Sequence, residues 1–60
     1  MKLTDKQKRM LKELILADFE IVYDEIYTPD FIEVKGEQGG DVYRLRYYPQ
    51  SDGSFECYEK

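Results

Sequence analysis

The C-terminal half of the chain, residues 31–60, reads FIEVKGEQGGDVYRLRYYPQSDGSFECYEK, and its two turn signals decide the fold. Gly39-Gly40 is a two-residue turn whose positions both tolerate positive φ, the strongest short-range mark of a β-hairpin. With that pair at the tip, Gln38 faces Asp41, Val34 faces Leu45, Glu33 faces Arg46 and Ile32 faces Tyr47. The second signal, Pro49-Gln50-Ser51-Asp52-Gly53, reads as a five-residue loop. It predicts Tyr47 opposite Phe55, Arg46 opposite Glu56, Leu45 opposite Cys57 and Arg44 opposite Tyr58.

The two registers, each set by its own turn, agree. One face collects Ile32, Val34, Tyr43, Leu45, Tyr47, Phe55 and Cys57; the other collects Glu33, Lys35, Arg44, Arg46, Tyr48, Glu56 and Tyr58. A ladder Glu33–Arg46–Glu56 is expected across the second face. Cross-strand pairs contribute about 0.2–1 kcal/mol each, and a one-residue slip turns every side chain to the wrong side. Arg44-Leu45-Arg46 is therefore sheet construction first.

Working back from the sheet, the N-terminal part predicts a helix over about 5–17. Thr4 and Gln7 form a capping-box pattern, and Met10, Leu11, Leu14 and Ile15 fall on one stripe. Asp5, Arg9 and Glu13 are spaced for i,i+4 pairs. Residues 20–27 are open to two readings, a helix extension or a strand. A long helix would put Asp18 and Glu25 in its apolar face and crowd acids at the negative end of its dipole. The stretch is also rich in β-formers, so a break near Asp18 and a strand are favoured. Thr28-Pro29-Asp30 then makes a turn into the next strand.

The fold class is α+β: one N-terminal amphipathic helix on one face of a three- or four-stranded antiparallel meander. Strands are expected over about 31–38, 41–48 and 54–59, with residues 20–27 as a further strand or a helix extension. Residues 1–60 make a single small domain, and the methionine at position 1 leads us to expect a complete small gene product.

Composition narrows the function by exclusion. The chain has 60 residues, one cysteine and no histidine, with a net charge of −4. No intrachain disulfide is available, and the commonest transition-metal ligand and general base is missing, so neither a metal nor a cofactor is expected. Cys57 reads as a small buried hydrophobe facing Leu45 rather than a catalytic thiol. Asp24-Glu25 and the neighbouring acids lack the ligand pattern of a calcium loop, and Gly39-Gly40 is spent on a turn rather than on phosphate. A domain this small is expected to leave little room for a ligand pocket, so no enzyme and no small-molecule substrate are foreseen. No membrane-spanning run or export signal is evident, and the default address is cytoplasmic.

Charge is divided between two ends, +4 over residues 1–12 and −8 over residues 13–60. Three surfaces follow. The polar sheet face carries Arg44, Arg46, Tyr48 and Tyr58. An acidic run interleaved with aromatics holds Asp18, Phe19, Glu20, Tyr23, Asp24, Glu25, Tyr27 and Asp30. The helix shows a basic face of Lys2, Lys6, Arg9 and Lys12, with Lys8 at its edge.

Six tyrosines exceed what so thin a core absorbs. The expected function is thus a non-catalytic, acidic protein-interaction module (adaptor, regulator or inhibitor) with Tyr23, Tyr27, Arg44, Arg46, Tyr48 and Tyr58 as partner contacts, binding a protein partner or a second copy. The alternative is a nucleic-acid-associated protein that contacts phosphates through Lys6, Arg9 and Lys12, which the acidic net charge disfavours.

Overall fold

Thr4 opens the first element. In the computed structural model, which describes residues 2–59, helix α1 spans Asp5–Asp18. The Thr4 hydroxyl accepts the Gln7 N–H at 3.1 Å and the Gln7 side chain accepts the Thr4 N–H at 3.0 Å, so the capping box closes. Met1 and Lys60, the ends of the expected domain, lie outside the described residues.

Leu11 and Ile15 bury the helix, Leu14 packs beside them, and Met10 of the expected stripe is only half-buried. No ion pair joins Asp5 to Arg9 or Arg9 to Glu13 among the described residues. Such exposed pairs gain little against the entropy of two ordered side chains.

The helix stops at the acid that argued against its extension. Phe19 turns to extended backbone, φ −133° and ψ 138°, with its N–H on the Ile15 carbonyl at 2.9 Å. Asp18 is held from the sheet: its carboxylate accepts the Tyr47 hydroxyl at 2.7 Å, and its carbonyl accepts the Tyr43 hydroxyl at 2.6 Å.

The ambiguous segment is a strand. β1 spans Ile21–Tyr27, β2 Ile32–Gln38, β3 Asp41–Pro49 and β4 Phe55–Glu59, forming one four-stranded antiparallel sheet in the order β1-β2-β3-β4. At the first turn the Thr28 hydroxyl accepts the Phe31 N–H at 3.0 Å, and the Thr28 N–H reaches the Phe31 carbonyl at 2.9 Å. At the second, Gly39 and Gly40 take φ of +61° and +85°. Every β2–β3 pair expected from that turn is present.

The β3–β4 register differs from expectation by two residues. Arg46 faces Tyr58, Tyr47 faces Cys57, Tyr48 faces Glu56 and Pro49 faces Phe55. The loop is shorter than the five residues read from sequence. The Gln50 N–H bonds the Ser54 carbonyl at 2.8 Å, leaving Ser51-Asp52-Gly53 as the turn, with Gly53 at φ +90° in the left-handed position that closes three-residue hairpins. Asp52 locks it by accepting the Ser54 N–H at 2.9 Å and the Ser54 hydroxyl at 2.6 Å. Pro49 costs the ladder nothing, because its nitrogen points to the side where β2 has already ended. A slip of two keeps each residue on its face, yet it removes Glu56 from the expected Glu33–Arg46–Glu56 ladder and puts Tyr58 there instead.

The core lies between α1 and the two central strands: Leu11, Ile15, Phe19, Ile32, Val34 and Tyr47, with Leu3, Leu14, Tyr43, Leu45 and Phe55 around it. Two sequence expectations fail here. Cys57 is exposed rather than buried, because β4 is an outer strand that the helix does not cover at this position. Phe19 is not part of a displayed acidic-aromatic run but buried, 5.0 Å from the Tyr43 ring and seated directly over Gly36.

Candidate interaction surface

Opposed residues in a ladder share a face, so the registers assemble the side of the sheet turned away from α1. Across it run Ile26, Glu33, Arg46 and Tyr58 in one row, then Asp24, Lys35 and Arg44 in the next. Glu33 is the buried centre, only 6% exposed although it sits on the open side. Arg46 Nε lies 3.0 Å from its Oε1, and Arg44 Nη1 lies 3.7 Å from its Oε2.

Beside this pair of ion contacts is a small aromatic stack. The Arg46 guanidinium lies over the Phe31 ring, 4.3 Å from its centroid. Phe31 meets Tyr48 at 5.4 Å, and Tyr48 meets Tyr58 edge-on at 5.7 Å. Cation–π and aromatic contacts of this kind fix side-chain orientation as well as adding stability. The Tyr48 hydroxyl and then the Glu33 carboxylate hold the Arg46 guanidinium above its ordinary value, so it is charged throughout the working pH range. The Tyr58 hydroxyl donates to Glu56 at 2.8 Å, which raises its pKa and keeps the phenol protonated.

Four of the six expected contacts, Arg44, Arg46, Tyr48 and Tyr58, are therefore neighbours on one surface. Tyr23 lies on the same face, away from them, with its hydroxyl donated to Glu37 at 2.7 Å. Tyr27 does not join them. It pairs with Ile32, whose side chain faces the helix, and it lines a groove on that side. The cause is a bulge between Val22 and Asp24, which inserts Tyr23 as an extra residue and inverts the alternation beyond it. Phe31, Ile21, Ile26 and Val42 also belong to the outer side, and sequence reading passed over them. Phe31 was within reach, since the Gly39-Gly40 register carried one pair further sets it against Tyr48.

The remaining candidates do not converge. Lys6, Arg9 and Lys12 are all exposed, but Lys12 turns to the groove between α1 and β1, which Lys6 and Arg9 do not line. Partial burial of the Cys57 sulfur, followed by the Asp18 carboxylate, pushes the thiol pKa up, so little of the reactive thiolate forms at neutral pH. Among the described residues no group of three or more His, Cys, Asp and Glu stands close enough to hold a metal ion. No helix among them is long and apolar enough to cross a membrane.

Compared with protein-family models, with curated proteins and with solved structures, the chain matches none.

Proposed function

We propose that the chain is a non-catalytic protein-interaction module that engages a protein partner through the outer side of its sheet. Arg44 and Tyr58 are the anchors; Glu33 holds Arg44, Tyr48 holds Tyr58, and Arg46, paired with Glu33 and stacked on Phe31, links the two. One observation carries this reading: an exposed arginine and an exposed tyrosine flank a part-buried Glu33–Arg46 contact, the arginine beside Glu33 and the tyrosine against an aromatic stack. Arginine and tyrosine are the residue types that dominate interface energetics. Ordering them in advance removes a cost of about 0.5–1.5 kcal/mol per immobilised side chain on binding.

The test is capture by the tagged full chain, compared with an Arg44→Ala/Tyr58→Ala variant of unchanged circular dichroism. A partner retained by the native chain and lost by the variant supports the reading; a partner held equally by both refutes it. The nucleic-acid reading draws less support, because its three basic residues split between two surfaces. It returns if oligonucleotide binding at low salt is abolished by neutralising Lys6, Arg9 and Lys12 together.

A further inference from the structure

On the side opposite the proposed partner surface, α1 and β1 flank an open groove of about 900 Å³, although little room for a ligand pocket was expected of a domain this small. The helix wall presents the i, i+4, i+8 stripe Lys8, Lys12 and Leu16; the strand wall presents Tyr27, Glu25 and Val22. Leu16 is 66% exposed and Tyr27 60%, and every residue of β1 is exposed. Neither Lys8 nor Lys12 has an ion pair among the described residues, while Glu25 is met only by the Tyr27 hydroxyl at 3.0 Å and is open to a cation.

From this we infer that the groove is a two-fold interface for a second copy of this chain. The two walls carry opposite charge on an apolar base, so the surface is complementary to itself. In an isologous contact residue i meets j while j meets i, which sets Lys12 of each protomer against Glu25 of its partner. Leu16 of each copy then enters the other's groove. A ligand of single charge would match one wall and be repelled by the other. Edge-to-edge pairing of β1 is the worse route to a dimer: registers centred on the strand bring Asp24 and Glu25 against their own copies, and the bulge at Tyr23 breaks the hydrogen-bonding edge. The dimer leaves both outer sheet faces uncovered, and so offers two partner sites to a multivalent target.

Sedimentation velocity of the full chain over a range of concentrations tests this. A concentration-dependent dimer is expected, and Leu16→Glu should raise its dissociation constant by at least about tenfold without altering the circular dichroism, as befits a removed interface anchor. Lys12→Glu and Glu25→Lys should each weaken the dimer, and the double variant should recover it, because the charges are exchanged rather than lost. A chain that stays monomeric at every concentration overturns the proposal. So does a dimer indifferent to Leu16→Glu, or a monomer whose groove takes up anilinonaphthalene sulfonate in a Leu16-dependent way. Arg44→Ala/Tyr58→Ala should leave the dimer intact, which separates this result from the fate of the partner surface.

Discussion

Replacing Gly36 with alanine is the sharpest probe of how the helix-to-strand connection is seated. A Cβ at this position would stand 2.7 Å from Phe19 Cγ and nearer still to Cδ1, and it would also press on the Ile21 carbonyl oxygen. Carbon–carbon contacts rest at about 3.5–4.0 Å, so the ring would have to withdraw by roughly 1 Å. It has no easy way to do so, since Phe19 is buried against the Tyr43 ring. The Ile21 carbonyl belongs to the backbone where Val22 pairs with Gly36, so yielding there weakens the β1–β2 ladder. Overpacking costs about 1–3 kcal/mol, and the contact with backbone argues for the upper end. Relief of glycine's unfolded-state entropy returns about 0.4–1 kcal/mol. The net loss is about 2 kcal/mol, a large part of the roughly 3–9 kcal/mol available to a domain of 60 residues. In thermal unfolding this lowers the midpoint by about 8–16 °C. Phe19→Leu in the same chain should recover part of the loss, a departure from additivity of at least about 0.5 kcal/mol. A Gly36→Ala protein melting at or above the native midpoint would falsify the placement of Phe19.

Tyr47→Phe removes the hydrogen bond to Asp18 and should cost about 1.5–3 kcal/mol in denaturant unfolding, as for other bonds to charged groups. Burial, followed by Asp18, raises the Tyr47 pKa far above its ordinary 10.0, so its contribution is complete below pH 10 and fades as pH rises beyond it. The native protein should lose stability above that pH, and Tyr47→Phe should flatten the decline. The Ser54 hydroxyl and N–H lower the Asp52 pKa below 3.8, so the hairpin gains from the carboxylate above that value and loses the gain as pH falls through the lowered pKa. Asp52→Ala should abolish the acid-dependent shift of the Ser54 amide resonance. Glu33→Ala leaves Arg44 and Arg46 side by side on β3 without the acid they share and should give the largest fall in melting temperature of any single alanine substitution on the outer side of the sheet.

How far the sequence could be read depended on which residues hold their own geometry. Gly39-Gly40 fixes two positive φ angles, so the β2–β3 register follows from the chain alone. Ser51-Asp52-Gly53 sits inside a longer polar stretch, and only the hydrogen bonds of Asp52 and the φ of Gly53 show where the turn closes. Because the error was two residues, the faces survived and the neighbours did not: Arg44, Arg46, Tyr48 and Tyr58 were placed together correctly, but with Glu56 in the position of Tyr58. Tyr27 was misplaced because a bulge has no reliable mark in a string such as Ile21-Val22-Tyr23-Asp24-Glu25. Gly36 was a signal within reach, since a glycine inside a strand commonly marks another group approaching the backbone. The groove was invisible from sequence because it depends on where the helix comes to rest.

That resting place follows from size. Four strands at about 4.8 Å spacing make a sheet about 14 Å across between its outer backbones, before side chains are added. A helix with its side chains is about 10–12 Å wide, so one helix cannot cover the helix-facing sides of all four. Here α1 settles over β2 and β3, through Leu11 and Ile15 against Ile32, Val34 and Tyr47, and both outer strands are left open on that side. The two uncovered margins are not equivalent. Along β4 the helix-facing side shows Cys57 and Glu59 at its exposed end, a surface water can cover. Along β1 it shows Val22 and Tyr27, with Leu16 leaning out from the helix above them. Exposed apolar side chains scattered singly call for no explanation, but a contiguous group along a groove marks a contact site. A helix resting nearer β1 would bury that margin and bare the apolar half of β3, with Leu45 and Tyr47. The present position instead protects the centre of the sheet and leaves open the margin whose Lys12 and Glu25 another copy of the chain can match.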